Sequence, residues 1–537
     1  MRKLFLFGFL TILLFSCHRK EEFENETTAR DYSIDKNQAF SDSFLDSLTV
    51  EKYISDNNLS EDYGRRIISF YNARNYQFAW FSNKGLSEHG RSFWYLEQYN
   101  SNVKNDSSFY NKDLSKKMNY LTSDEPLTIS LADRSIILTE ITLTHHFIQY
   151  ILKNYPNQQI KRKEMEHFVP TKKVETLYLA DSIVTKKHKS NKYFTDKIPA
   201  FKQLQNHLQI YLKIAQKGGW QSIDQKNVKI TKGESKPFIK AIKSRLYVTG
   251  ELPRLDTSTI FDASLETAIK LYQTSHGLTA DGKISLELIE DMNKPVVKRI
   301  QQLLINMDRM RWRLGEGDSN LIVVNIPAFV LQVNEGRNLV FEMPVVVGKE
   351  GHNTTLFTSM LNQVVFSPYW NLTPNIVKNE ILPSMQKDPG YLEQNNMEIT
   401  GNEDGLPVIR QLPGEKNSLG KVKFLFPNNF DIYLHDTPAK ALFNADNRAY
   451  SHGCIRLSDP MKLASYVLRK QAEWTPEKIG DAMNKGVEQY VQVKFPIQIQ
   501  ITYFTAWVNE GGILNFRNDI YDHDSDLASK MFTNSLY

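Results

Sequence analysis

Leu321-Ile322-Val323-Val324-Asn325-Ile326 is where the chain changes period. Upstream, apolar residues recur every three or four positions; from here they come in short β-branched runs, which suit a pleated, half-buried surface better than a helix. Phe329-Val330-Leu331-Gln332-Val333 and Leu339 to Val347 repeat the pattern, separated by Pro327 and the Glu335-Gly336 turn, and read as consecutive antiparallel strands. Val364-Val365-Phe366 ends at Pro368, and Val422 to Phe426 resumes strand character after a polar stretch, 371–420, punctuated by Pro and Gly. A connection of that length is expected to be an ordered functional insert. Ile497, Ile499, Ile501 and Tyr503 alternate cleanly, and Asn509-Glu510-Gly511-Gly512 marks a hairpin turn before Ile513 to Ile520. With one helix near Met461 to Leu468, residues 319–520 are expected to form a mainly-β domain.

Towards the N-terminus the pattern is helical. Ile137, Ile141, Ile148, Ile151 and Leu152 share one helical face, and Asn154 with Pro156 follows as a stop. His145 and His146 lie in that helix, but adjacent positions point about 100° apart and do not chelate one ion together. Weaker helical patterns run through 60–110 and 174–216, so 46–235 reads as a helical domain without recognisable chemistry. Between 236 and 293, Ile239, Ile242 and Leu246 make one stripe and Leu265, Ala268, Ile269 and Tyr272 a second, which Gly277 stops. Arg299 to Arg313 returns to helix, within a connecting segment 294–318. The expected fold class is α+β and multidomain.

The 537 residues are 41% hydrophobic and 24% charged, which excludes disordered, collagen-like and multi-span membrane classes. Lys and Arg number 66 against 61 Asp and Glu with no dense basic block, so a nucleic-acid surface is not expected. The only cysteines are Cys17 and Cys454, which excludes a disulfide-rich scaffold and any zinc site built on several thiolates. Arg2 and Lys3 precede an uncharged stretch from Leu4 to Ser16, well short of the roughly 20 residues a spanning helix needs, and it reads as a signal peptide. Its end, Leu14-Phe15-Ser16-Cys17, resembles a bacterial lipobox, making Cys17 the expected lipidation site of an extracytoplasmic, membrane-anchored protein on the periplasmic face of a Gram-negative envelope. Residues 18–45 read as a solvated tether and 521–537 as a C-terminal tail.

Cys454 sits in Ser451-His452-Gly453-Cys454-Ile455-Arg456. A thiol nucleophile needs a base for its proton and dipoles or cations for developing charge; His435, His452 and Arg456 are at hand, and Gly453 lets backbone N–H groups approach an oxyanion. His452 is two residues from the thiol, and such close neighbours seldom reach the in-line hydrogen bond required. His435 is favoured as the base: it ends Asp431-Ile432-Tyr433-Leu434-His435, a strand expected to pair with the one before Cys454.

Ile432-Tyr433-Leu434-His435-Asp436-Thr437-Pro438 followed by Ser451-His452-Gly453-Cys454-Ile455-Arg456-Leu457 resembles the signature of YkuD-type L,D-transpeptidases, cysteine enzymes of bacterial peptidoglycan. The resemblance extends through Val345-Val346-Val347-Gly348-Lys349, Val365-Phe366-Ser367-Pro368-Tyr369-Trp370, Glu380-Ile381-Leu382-Pro383 and Thr505-Ala506-Trp507-Val508. The Phe261-Asp262, His276-Gly277-Leu278 and Asp281-Gly282 pattern resembles a peptidoglycan-binding module. It implies the family's large branch, with a helical scaffold and a cap at about 371–425. It further implies Cys454 as nucleophile, His435 as general base, His452, Gly453 and Cys454 N–H groups as an oxyanion hole, Arg456 bracing the loop or facing a substrate carboxylate, and Tyr433 bordering the pocket. The imidazole-orienting position is Asp436, where the family often has Gly or Ser acting through its backbone. The implied partners are peptidoglycan stem peptides and, by the lipid anchor, a membrane, with no metal or organic cofactor. The other readings are a sortase-like cysteine transpeptidase and a catalytically inactive wall-binding lipoprotein.

Overall fold

The computed structural model describes residues 27–103, 111–122, 130–155, 160, 165–166, 168–185, 192–223, 229–312 and 320–533. The signal peptide, Cys17 and residues 18–26 of the expected tether lie outside the described residues. The chain forms two compact units, one of residues up to 101 with 106–197 and 526 onward, the other of 102–105 with 198–525.

The first unit is helical around an aromatic core. Helices Ser47–Asp56, Glu61–Asn72 and Arg134–Asn154 start where Asp46, Ser60 and Asp133 turn a side-chain oxygen onto a free N–H of the first turn. Trp80 is fully buried, with ring centroids 5.4 Å from Phe93 and 5.3 Å from Phe147. A small hairpin of β1 (Phe81–Ser82) and β2 (Gly85–Leu86) follows it. Glu140, wholly buried on the long helix, accepts Ala79 N–H at 2.7 Å and Trp80 N–H at 2.9 Å, so its carboxylate satisfies the backbone entering that hairpin. Burial pushes this carboxyl up to about 7. His145 packs on the rings of Tyr53 and Tyr63, whereas His146 lies 3.7 Å from Glu97, so the two imidazoles point to different neighbours.

In the second unit, helix Pro199–Gln216 buries Phe201, Leu204, Leu208 and Leu212 and packs on helix Val296–Met310. The two units therefore divide between Lys197 and Ile198, inside the 46–235 segment. Helices Phe238–Thr249, Ala263–His276 and Leu286–Met292 enclose Ile239, Ile242, Leu246, Leu265, Ile269, Tyr272 and Leu288, the two stripes read from the sequence. Gly277 ends the second helix at φ +71°, a conformation that costs glycine little. This three-helix module is joined to its surroundings by a polar seam: Arg517 donates to Ser275 O at 2.9 Å, Lys294 to Asn518 at 2.8 Å, and the Phe516 ring lies 5.4 Å from that of His276.

The β region forms a nine-stranded sheet in the order β12-β5-β13-β11-β10-β6-β14-β3-β4, and further pairing of β4 with β5 closes it on itself. Its strands are β3 (Asn320–Asn325), β4 (Val330–Glu335), β5 (Asn338–Gly348), β6 (Phe357–Phe366), β10 (Val422–Leu425), β11 (Leu434–His435), β12 (Ala449–Ser451), β13 (Ile455–Leu457) and β14 (Gln489–Thr502). β3, β4 and β5 pair antiparallel in sequence, as their short apolar runs suggest. β15 (Ala506–Val508) and β16 (Leu514–Phe516) form the hairpin around Asn509-Glu510-Gly511-Gly512.

The insert is ordered and has its own sheet, β7 (Trp370–Asn371), β9 (Leu406–Gln411) and β8 (Met397–Glu403). A helical stretch, 374–387, packs Val377 and Ile381 with Leu372 and Ile409 into a separate small core.

Candidate active site

β11 and β13 lie side by side and parallel, with Leu434 opposite Ile455 and His435 opposite Arg456. Side chains alternate along a strand, so Leu434 and Ile455 enter the core while Tyr433, His435, Cys454 and Arg456 share the other face. The sequence led us to expect pairing with the strand before Cys454; β11 instead pairs with the strand after it. The reason lies in the turn at Gly453, where φ of +112° reverses the chain and leaves β12 to pair with β5. Ser451 Oγ accepts Gly453 N–H at 3.2 Å and donates to Cys454 O at 2.5 Å, and Thr354 Oγ1 donates to Gly453 O at 2.7 Å. The turn that carries Cys454 is thus held by hydroxyls on both sides.

His435 is buried, and its Nδ1 lies 2.5 Å from Asp436 O. A carbonyl only accepts, so Nδ1 carries the proton, and the Leu419 main chain is a second hydrogen-bonding neighbour of the ring. Burial, reinforced by the positive charge of Arg456, holds the imidazole down at about 3. The half-buried Cys454 thiol donates to Asp431 O at 3.5 Å and lies in hydrogen-bond contact with Tyr433. Burial pushes that thiol up to about 11, with the Tyr433 contacts and Arg456 offsetting part of the rise. Near pH 7 both groups therefore rest uncharged, a neutral thiol in contact with Asp431 O and Tyr433 and a neutral imidazole bonded to Asp436 O. Burial and the neighbouring Cys454 also raise the Tyr433 phenol well above its usual range, which keeps it a proton donor.

Asp436 orients the imidazole through its main chain. Its carboxylate is engaged elsewhere, accepting Lys421 N–H and the Lys440 ammonium at 2.9 and 2.8 Å. Arg456 is largely buried, which lowers its guanidinium, and its Nε has no hydrogen-bond partner among the described residues. His452 turns away from the thiol: Nε2 lies 2.7 Å from Glu380 Oε1 on the insert, and its ring is 5.1 Å from that of His352.

Two neighbours escaped the sequence reading. Lys423 is paired directly with His435 across β10 and β11, and its ammonium lies 3.8 Å from Glu488. A lone charge within Val422-Lys423-Phe424-Leu425 was the available signal. Glu380 stands in the Glu380-Ile381-Leu382-Pro383 stretch of the resemblance, but nothing local ties residue 380 to residue 452.

Fold and site together define a closed, mainly-β domain that bears a cysteine and a histidine on adjoining strands beside a separately folded insert. Residues 319–489 match the family model of the YkuD L,D-transpeptidase catalytic domain, 65–208 that of a scaffold domain, and 235–292 that described as "Putative peptidoglycan binding domain". The chain carries a YkuD-family L,D-transpeptidase catalytic domain together with a peptidoglycan-binding domain and a scaffold domain. A Haemophilus influenzae protein named "Putative L,D-transpeptidase" is 33% identical over 243 residues, covering 42% of this chain and 49% of the relative. The match thus spans about half the length of that curated relative. Among solved structures, an L,D-transpeptidase from Mycobacterium smegmatis is 16% identical, covering 35% of this chain and 59% of that one with a TM-score of 0.20. One from Stackebrandtia nassauensis is 13% identical, covering 51% and 96% with a TM-score of 0.21.

Proposed function

We propose that the protein is a cysteine L,D-transpeptidase acting on the tetrapeptide stems of peptidoglycan, with Cys454 as nucleophile and His435 as general base. The observation that carries this reading is the shared face of Tyr433, His435, Cys454 and Arg456 on β11 and β13, with Nδ1 of His435 already bound to Asp436 O so that Nε2 is the base. As the sulfur attacks the carbonyl of the stem's third residue, a diamino acid, His435 Nε2 takes the thiol proton. Because Gly453 N–H is engaged by Ser451 Oγ, the N–H groups of Cys454 and His452 are the donors for the tetrahedral oxyanion. Collapse of that intermediate breaks the peptide bond, and the imidazolium protonates the departing amine of the terminal D-Ala. The product is a thioester on Cys454.

An amine on a second stem then attacks the thioester, His435 accepts the amine proton, and the thiol leaves with it, giving a 3→3 cross-link. Water in place of the amine gives L,D-carboxypeptidase activity. Arg456, a buried cation on the same face, supplies a counter-charge for a substrate carboxylate. The match of 235–292 to a peptidoglycan-binding domain supports the same polymer as the working surface. The N-terminal sequence supports an anchor through Cys17 on the extracytoplasmic side of a membrane, and Cys17→Ser is expected to release the protein or leave it unprocessed. The functional test is acylation by a carbapenem: intact-mass measurement should show one adduct, mapped to Cys454 and missing from Cys454→Ala. No adduct, together with no release of D-Ala from tetrapeptide stems, would remove the proposal.

A further inference from the structure

The insert ends before β10, which belongs to the main sheet, so it spans 371–421 and not the expected 371–425, and it meets the turn that carries Cys454 through one side-chain pair. Glu380 Oε1 lies 2.7 Å from His452 Nε2, two residues from Cys454 in sequence and 72 from Glu380. A carboxylate only accepts, so Nε2 of His452 donates. The other side-chain hydrogen bonds of residues 374–411 stay within the insert or its closing loop: Asn379 on Asn375, Ser384 on Glu380 O, Gln394 on Asp388, Arg410 on Glu398, and Gln411 on Asn395 O and Lys416 O. Among the described residues, Glu380 is thus the one side chain of this body bonded to the turn that carries the thiol.

Local structure explains why Glu380 faces outward. Val377 and Ile381 are buried in the insert's own core with Leu372 and Ile409, whereas the Glu380 side chain is half exposed. Residues 377–381 form a single π-helical turn, an irregularity that re-aims side chains and is frequent at functional sites. On the far side, His352 packs edge-on against the His452 ring, so the imidazole is held from two directions. The insert is otherwise joined at its roots, where Asn417 donates to Pro368 O and Glu488 accepts Tyr369 N–H. A body with its own core, fixed at its roots and fastened at one distal point, moves when that point is released.

We propose that Glu380 is a specificity-determining residue for the acyl acceptor, fastening the insert over the thioester so that an amine held beneath it, and not bulk water, completes the reaction. This rests on the transpeptidase reading above. Both outcomes balance: the thioester plus an amine gives an amide and the free thiol, and the thioester plus water gives a carboxylic acid and the free thiol. In each, the acceptor's proton passes through His435 to the sulfur. Glu380 touches neither substrate nor sulfur, so it sets which acceptor is present and not the attack itself.

The test uses the full-length protein with a soluble tetrapeptide stem as donor and a second stem as acceptor, reading the ratio of cross-linked dimer to tripeptide acid. Glu380→Ala should lower that ratio about tenfold, and Glu380→Gln, which keeps an acceptor oxygen for His452, should recover much of it. The ratio is independent of overall rate, so a partly inactive variant still reports. Hydrogen exchange of the 374–394 backbone should also speed up in Glu380→Ala relative to the rest of the β domain. An unchanged ratio in a folded Glu380→Ala protein overturns the inference while leaving the transpeptidase proposal intact. A wild-type protein that releases no D-Ala overturns the proposal itself.

Discussion

His435 stands directly across from Arg456 in the parallel register of β11 and β13, and this neighbour reinforces burial in keeping the imidazole neutral. A buried cation beside a base opposes its protonation, just as burial opposes ionisation of the thiol two residues before it. The resting site is therefore expected to hold a neutral thiol and a neutral imidazole, and in the mechanism proposed above proton transfer then accompanies attack.

The first prediction concerns the thiol. With Cys454 raised to about 11, its thiolate fraction near neutrality is small and grows about tenfold per pH unit. Alkylation of the free enzyme by iodoacetamide should follow that slope from pH 7 to about 10. A plateau below pH 8 would mean an ion pair and would reverse the assignment.

The second concerns His435. Its folded value of about 3 lies below the ordinary 6.5, so between those limits the unfolded chain binds the extra proton and stability falls as pH falls. From pH 7 to 4.5 this group alone costs about 2–3 kcal/mol, a loss that His435→Gln should not show. Urea titrations of both proteins at the two pH values measure the difference, and equal losses would contradict it. His435→Gln should also lower D-Ala release at least about a hundredfold, whereas His452→Ala, which keeps its backbone N–H, should be milder.

Much of the β region was legible because its signal is local. Leu321 to Ile326 shows period and β-branching within six residues, and Cys454 declares itself as an isolated thiol among His, Gly and Arg. What was not legible depends on long-range register. Nothing within Leu434-His435 says that it pairs parallel with Ile455 and Arg456, or that β12 leaves for β5 after the turn at Gly453. The packing of helix Pro199–Gln216 on helix Val296–Met310 was hidden for a similar reason, since nothing in the stripe Phe201, Leu204 and Leu208 names so distant a partner. Glu380 is the extreme case, because its partner is 72 residues away.

The third prediction separates the two parts of Asp436. Its carbonyl orients the imidazole, while its carboxylate holds Lys421 N–H and Lys440. Asp436→Asn should keep D-Ala release within about tenfold of wild type, at a stability cost of about 1 kcal/mol because Lys440 is half-exposed and screened. Gly420→Ala should be worse: its Cβ would lie 2.4 Å from the Asp436 side chain at a backbone φ of +63°. If Asp436→Asn lost activity as fully as His435→Gln, the carboxylate would have a role in the chemistry.

The last prediction concerns the three-helix module and how its contribution can be measured. Removing 236–293 is the obvious experiment, expected from the sequence to reduce activity on intact sacculi more than on soluble stems. The seam makes that deletion destructive. Asp291 of the module bonds Arg299 of the following helix at 2.7 Å, and both side chains are buried. Burial alone would raise the Asp291 carboxyl, but Arg299 outweighs it and holds the group well below the usual range. The pair's stabilisation is therefore present above the ordinary carboxylate range near pH 4 and is lost as pH falls through the depressed value. Deletion would strand Arg299 without its counter-charge and uncover the Phe516 ring beneath it. Asp291→Ala isolates that effect and should cost about 3–5 kcal/mol, since removing one member of a buried pair leaves the other charge uncompensated. Below its melting temperature the variant should cleave soluble stems at the wild-type rate, because the bonds of Asp291 and Arg299 run to Tyr272, Lys294, Gln302 and each other and to no residue of the Cys454 face. Loss of soluble-stem activity in a folded Asp291→Ala protein would show instead that the module shapes the active site, and a deletion mutant could then say nothing about wall binding.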